Sequence, residues 1–204
     1  MDIHGIASQL SACGFVVVEH ALSGELLARL DDRCEDDAAV AFAPAGVGRG
    51  PFRTHDASIR GDMISWLDDA EDADHSYLEV MEELRLALND ALYLGLFAYE
   101  AHYAIYPTGT HYERHLDALT GEKNRLLSTV VYLNSEWALA DGGELVLYRA
   151  SDESVLIRIL PQPGLMVLFL SEDFPHEVLA AGKRRHSIAG WFRGRVPTPG
   201  TPSA

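Results

Sequence analysis

Residues 114–119, RHLDAL, place His115 and Asp117 one residue apart. In a β-strand successive side chains alternate faces, so these two would share one face with Leu116 on the other. The stretch upstream, Ala101–Tyr106, is aromatic, β-branched or small, a composition that favours strands. An imidazole and a carboxylate on one face can offer a nitrogen and an oxygen to a single metal ion, but a site needs a further ligand. His176, in the FPHEV segment that follows the apolar run Leu165–Leu170, lies fifty-nine residues beyond Asp117, far enough for several strands to intervene. Two imidazoles and one carboxylate form the three-ligand face of non-haem Fe(II) centres, which leaves positions open for a cosubstrate and O2. A closed zinc site would need a fourth ligand, and the spacing supplies none. Nine residues after His176 comes Arg185, then Ser187, in KRRHSIAGWF. On a strand Arg185, Ser187, Ala189 and Trp191 share a face, where a guanidinium can grip a carboxylate through two parallel hydrogen bonds and a hydroxyl can add a third.

Each of these residues also has an ordinary reading. An isolated His-x-Asp is by default a buried hydrogen-bonded pair. His111 and His115 are four apart, as in a metalloprotease helix, but that motif has Glu directly after the first histidine and Tyr112 stands there. A cupin metal signature begins His-x-His, and Asp117 occupies the second place. His4, His20, His55, His75 and His102 have no ligand-like spacing and read as surface or core residues. In KRR, Lys183 and Arg184 read as a solvated turn. Tyr132 shares a strand face with Ser128 and Val130 and reads equally as a core tyrosine, although a buried hydroxyl still needs a partner.

The elements that must position these residues divide into two halves. Ile3, Ile6 and Leu10 recur at helical spacing up to Gly14, and FVVV (15–18) reads as a short buried strand. Ser23 is a candidate N-cap for a helix presenting Leu26, Leu27, Leu30 and Cys34. Leu78, Met81, Leu84, Leu88 and Leu92 mark a further amphipathic helix. Between these helices, residues 43–62 are rich in Gly and Pro and long for a connector, which suits a lid or binding loop. The second half holds HYAIY, LLSTVVYLN, GELVLYR, VLIRIL, GLMVLFL and HSIAGWF, short strand-like runs broken by Gly, Pro, Asn or Asp. Their even spacing argues for an antiparallel sandwich or barrel. The expected architecture is mostly β with flanking α. It is one domain over residues 1–195, with helical support and a lid region in 1–97, a jelly-roll core in 98–195, and a flexible tail at 196–204.

Composition narrows the function classes. With 204 residues, 48% of them apolar, the chain can bury a core. Net charge is −15 and falls almost wholly in residues 1–100, with 20 acidic and 6 basic side chains there against 11 and 10 in the remainder. That balance argues against nucleic acid and, beyond a solvated face, favours a partner that is basic around its target. Cys13 and Cys34 are too few for a disulfide framework and read as buried small hydrophobes. The N-terminus lacks the basic and apolar regions of a signal peptide, and no apolar run is long enough to span a bilayer. The expectation is a cytoplasmic protein without a membrane partner.

Taken together, YPTGTHYERHLD, RLLSTVVYLNSEW, GGELVLY, PHEV and RRHSIAGWF resemble the 2-oxoglutarate- and Fe(II)-dependent dioxygenases, specifically the prolyl 4-hydroxylases of the hypoxia-inducible-factor type. SIRGDMISWL (58–67) extends the resemblance into the first half, so it covers most of the chain. It implies a double-stranded β-helix, the jelly roll supported by N-terminal helices, with His115, Asp117 and His176 binding iron. It implies that Arg185 anchors the distal carboxylate of 2-oxoglutarate, that Tyr132 donates its hydroxyl to the same group, that Tyr106 lines the cosubstrate pocket and that Trp191 walls the site. Ser187 fits the wider Arg-x-Ser pattern. The stretch around Arg60–Trp66 would lie over the mouth of the site. The implied reaction uses Fe(II), 2-oxoglutarate and O2, with ascorbate as a reductant, and hydroxylates a proline in a protein or peptide with release of succinate and CO2. Two alternatives share these residues: the same chemistry on a free amino acid or other small molecule, and a non-enzymatic oxygen or metal sensor, against which the intact triad and arginine argue.

Overall fold

A computed structural model describes residues 1–35, 41–46, 54–118 and 124–195. Three helices precede most of the strands: α1 (Ile3–Cys13), α2 (Gly24–Glu35) and α3 (Asp72–Leu92). Their ends follow local chemistry. Asp2 accepts a hydrogen bond from Gly5 N at the start of α1, and Gly14 ends it in the left-handed conformation that a residue without Cβ adopts at low cost. The Ser23 hydroxyl accepts from Leu26 N at the start of α2, as its residue type suggests.

Eleven strands are present among the described residues: β1 (Phe15–Val18), β2 (Ala43–Pro44), β3 (Met63–Trp66), β4 (Leu96–Tyr106), β5 (Tyr112–His115), β6 (Arg125–Tyr132), β7 (Leu145–Tyr148), β8 (Val155–Ile159), β9 (Met166–Leu170), β10 (His176–Val178) and β11 (Arg185–Gly194). They form two antiparallel sheets. The larger runs β1-β9-β6-β11-β4-β3-β2 and the smaller runs β5-β10-β7-β8. The result is mostly β with three helices, the two-sheet jelly roll that the strand pattern predicts. No helix among the described residues is long and apolar enough to cross a membrane.

Two cores follow from strand alternation. On one face of the large sheet Tyr103, Ile105, Ile188 and Phe192 pack with Leu30 of α2 and Tyr77, Met81, Leu84 and Leu88 of α3. On the other face Ala104, Tyr106, Tyr132 and Phe169 meet Leu145, Leu147 and Val178 of the small sheet. The sheet is thus covered on both sides, and its inner face is where a site between sheets must form.

Several sequence expectations need correction. On α3 Met81, Leu84 and Leu88 are buried as expected and Leu92 packs at the edge of the core, but Tyr77 takes the buried place expected of Leu78, which is half-buried. Cys34 is buried but Cys13 is exposed, at the last position of α1 where the helix turns its side to solvent. Arg184 is no solvated turn residue: it donates to the Cys34 carbonyl at the end of α2. Lys183 does sit at the surface, paired with Asp141 at 2.9 Å. The proposed lid falls in part on residues 47–53 and the tail on 196–204, both outside the described residues.

One glycine is fixed by packing. Gly190, opposite Ala101 on β4, leaves room for the Tyr99 hydroxyl, which a Cβ at this position would overlap. That hydroxyl is engaged by both Tyr77 (2.9 Å) and Thr129 (2.7 Å), so it cannot swing aside without losing both bonds. Gly190→Ala is therefore expected to destabilise the fold by about 1–3 kcal/mol through overpacking. Equilibrium urea denaturation measures it, and a midpoint equal to that of the parent would show that Tyr99 relocates freely.

Candidate active site

His115 is the last residue of β5, and His176 is the first of β10. The two are directly paired across the strands, His176 opposite His115. Side chains opposite each other in an antiparallel ladder lie on one face with Cβ atoms about 4.5–5.5 Å apart. The imidazoles accordingly sit 4.2 Å apart, centroid to centroid. Asp117 departs from the sequence expectation. β5 stops at His115, so the carboxylate is carried not by strand alternation but by the bend that follows. It still arrives at the same point: Asp117 Oδ1 is 3.8 Å from His115 Nε2, and Oδ2 is 3.6 Å from His176 Nε2. Ser128 on β6 holds this carboxylate with a 2.6 Å hydrogen bond.

The ring hydrogen bonds decide which nitrogens are free. His115 Nδ1 faces the Glu113 carbonyl at 2.7 Å and His176 Nδ1 faces the Phe174 carbonyl at 3.0 Å. A carbonyl only accepts, so each Nδ1 carries a proton, and Nε2 is the ring nitrogen turned toward Asp117. Burial first, then the neighbouring His176, pushes His115 down to about 3 against the pull of Asp117. Burial works against ionisation of Asp117, but His176, His115 and the Ser128 hydroxyl outweigh it and hold the carboxyl at about 2. At neutral pH the neutral imidazole and the carboxylate are thus in the forms that bind a cation. Among the described residues these three are the one group of His, Cys, Asp or Glu side chains whose ligand atoms all lie within 4.8 Å of one another. His111, the alternative partner for His115, is not among them. The absence of a fourth donor in this group suits Fe(II) with open positions rather than closed tetrahedral zinc.

The triad opens into a cavity of about 420 Å³ between the sheets. Arg185, Ser187, Ala189 and Trp191 of β11 all line it, as the alternation of a strand requires, together with Tyr106 of β4. Arg185 is 1% exposed yet only partly satisfied. Its Nη1 donates to Ser187 Oγ at 3.1 Å, while Nε and Nη2 have no partner. Its guanidinium carbon lies 5.0 Å from the ring centres of both Tyr106 and Tyr132. Tyr132 is fully buried and not itself part of the cavity lining. Burial raises its phenol to about 12 against the effect of Arg185, so it stays a proton donor, and its hydroxyl also lacks a partner. Buried polar groups are nearly always paired, and orphans of this kind call for an external acceptor. A small dicarboxylate supplies such acceptor oxygens, and its other end can reach toward a cation at the triad. The residues present therefore fit both Fe(II) and 2-oxoglutarate. Gly143, with φ +72°, permits the approach: a Cβ there would come within 3.3 Å of Arg185 Cδ and 3.2 Å of Trp137.

The remaining wall contains residues that sequence spacing did not single out. His102 is buried against Trp66 (5.2 Å, edge-on) and Trp191 (5.5 Å), and burial, then Arg60, lowers it to about 4, so it is neutral. Its signal was parity: His102, Ala104 and Tyr106 alternate on one strand. Arg125 lies 3.5 Å over the Trp191 ring and donates twice to Glu100. Arg60 lies 4.6 Å over Tyr112 and is held by Asp62 in a two-bond fork at 2.7 and 2.9 Å. Tyr112 in turn stacks on His115 at 3.6 Å. Arg60 and Trp66 thus stand on the cavity wall, in the region where the SIRGDMISWL resemblance puts the mouth.

The family model described as the 2OG-Fe(II) oxygenase superfamily matches residues 101–193. The crystal structure of a Pseudomonas putida prolyl-4-hydroxylase superposes with a TM-score of 0.84 at 38% identity, covering 95% of this chain and 100% of that one. A Trichoplax adhaerens prolyl hydroxylase, solved in complex with a hypoxia-inducible-factor oxygen degradation domain peptide, superposes with a TM-score of 0.82 at 26% identity over 94% and 88% of the two chains. A Xenopus laevis prolyl 3-hydroxylase is 35% identical over 88 residues, which is 39% of this chain and 17% of that protein. An Ostreococcus tauri prolyl 3,4-dihydroxylase is 35% identical over 101 residues, or 43% and 19%. The chain spans about a fifth of the length of these two curated relatives.

Proposed function

The chain belongs to the 2OG-Fe(II) oxygenase superfamily, and from that premise we propose that it hydroxylates a prolyl residue presented by a protein or peptide. The observation that carries this reading is the His115–Asp117–His176 cluster sharing one cavity with the partly unsatisfied guanidinium of Arg185. Bound together there, Fe(II) and 2-oxoglutarate supply O2 activation coupled to decarboxylation of the cosubstrate to succinate and CO2.

The chain's own residues do the rest. His115 and His176 present Nε2 lone pairs, and Asp117 presents its carboxylate. Arg185 holds the far carboxylate of the cosubstrate, with the Tyr132 hydroxyl as second donor and Tyr106 as the wall that sets its depth. Ser187 keeps one arm of the guanidinium still. Trp191, His102 and Trp66 form an aromatic and uncharged wall against which an apolar pyrrolidine ring can rest while water is excluded.

A polypeptide suits this cavity better than a free amino acid. Among the described residues of the lining, Arg60 is paired with Asp62 and Arg125 with Glu100, which Arg193 shares, so Arg185 is the cation there with open donors. Trp66 and Leu116 on the lining are exposed and available to a docking chain. The acidic first half favours a partner whose surface is basic around the target proline. The test incubates the protein with Fe(II), 2-oxoglutarate, O2, ascorbate and either proline-containing peptides with flanking lysines or free proline. A 16 Da gain on the peptide proline, in step with succinate release, is the expected result. Oxidation of free proline alone would move the substrate to the small-molecule class.

A further inference from the structure

Asp117 is the one triad member that no sheet ladder holds. His115 and His176 are fixed by backbone pairing, whereas Asp117 rides on a bend. What holds its side chain is a chain of two hydroxyls. Ser128 Oγ donates to Asp117 Oδ2 at 2.6 Å, and Ser171 Oγ lies 2.8 Å behind Ser128 Oγ. A hydroxyl has one proton, and that of Ser128 is committed to the carboxylate. Ser171 is therefore the donor in the second bond, and the chain points from Ser171 through Ser128 to Asp117. Both serines are almost wholly buried, at 1% and 0% exposure, so water does not substitute for either. Ser171 also grips the bend itself: its carbonyl accepts from Ala118 N at 3.4 Å, and its own N–H donates to Leu126 O at 3.1 Å, which ties it to β6.

We infer that Ser128 and Ser171 are positioning residues for the metal ligand Asp117. They fix the carboxylate's rotation and occupy one of its lone pairs, so that the bend meets the two strand-borne imidazoles at one point. The inference rests on the reading of His115, Asp117 and His176 as the metal site. Hydrogen-bond partners of this kind, one step behind a metal ligand, cost about 10- to 100-fold in metal affinity when removed. Serines kept only for their small size would show no such cost, because alanine is smaller still.

Co(II), an air-stable and coloured substitute for Fe(II), is titrated into the full chain and its variants with visible absorption as the readout. Ser128→Ala is expected to weaken Co(II) binding about 10-fold or more and to change the visible bands of the bound ion, with the metal-free protein still folded. Ser171→Ala, which acts through Ser128, should weaken binding by a smaller factor in the same direction, and Ser128→Thr should bind nearly as the parent does. Ser128→Ala binding within twofold of the parent, with unchanged bands, would overturn the inference. If Ser128→Ala fails to fold, Ser171→Ala carries the test, and parental affinity there overturns the relay. His176→Ala separates the two levels of the argument: Co(II) binding that survives in it, or is absent from the parent, sinks the metal-site reading itself.

Discussion

Alanine at His176, Asp117 or His115 is expected to remove turnover and to weaken Fe(II) binding by more than about 100-fold, beyond what loss of an outer hydrogen-bond partner costs. Each of the three supplies a ligand atom to one cluster, and no further His, Cys, Asp or Glu among the described residues stands close enough to replace it. The electrostatics sharpen the expectation. His115 and Asp117 are held at about 3 and about 2, so neither has to shed a proton to bind at pH 7. His111→Ala is the control: it lies on the segment leading into β5 but outside the cluster, and it should keep the metal. Titration of Fe(II) under anaerobic conditions, paired with succinate release at limiting iron, measures both effects. Full turnover in any one of the three variants would remove that residue from the site.

Arg185→Ala should raise the KM for 2-oxoglutarate by at least about 30-fold, because breaking a buried charge-assisted pair costs about 2–5 kcal/mol. Arg185→Lys should rescue only in part, since an ammonium keeps the charge but not the planar fork. The neighbouring cations serve as controls of different kinds. Lys183 is paired with Asp141 at the surface, where an ion pair is worth about 1 kcal/mol or less, so its loss should leave KM nearly unchanged. Arg184 is bonded to the Cys34 carbonyl. Its alanine variant should lose stability, measured by denaturation, rather than cosubstrate affinity. A large KM effect at Arg184 and none at Arg185 would mean that the strand presents the other face.

The sequence shows the site's donors more plainly than it shows how they meet. Period-two alternation fixes Arg185, Ser187, Ala189 and Trp191 on one face, and the structure keeps them there. The same rule applied to His115 and Asp117 reaches the right proximity by the wrong route, because nothing local announces that β5 ends at His115. The pairing of His176 with His115 is a register between segments about sixty residues apart, and register is set by the whole sheet. His102 reads as an ordinary surface or core histidine and is indeed buried, but only the neighbouring Trp66 and Trp191, brought in from distant segments, make it part of a wall. Arg184 departs from a solvated turn for a similar reason: it bonds to a backbone carbonyl, which leaves no trace in residue types.

Helix α2 holds the strand that carries Arg185 on both sides of that residue. Arg184 reaches the Cys34 carbonyl across 150 residues of sequence, and His186 reaches Asp31 at 2.7 Å across 155. For a chain made from its N-terminus, this has a temporal meaning. The helix can pack on α3 early, with Arg33 pairing to Glu71 and Asp74, but it gains these two contacts only after a further 150 residues or so have been synthesised. Contacts of such long reach pay their loop-closure entropy before they return any stabilisation, which slows folding and prolongs the exposure of unpaired strands. A nascent chain that reaches only from its N-terminus to between His176 and Lys183 would hold all three triad residues and still lack the clasp that seats Arg185.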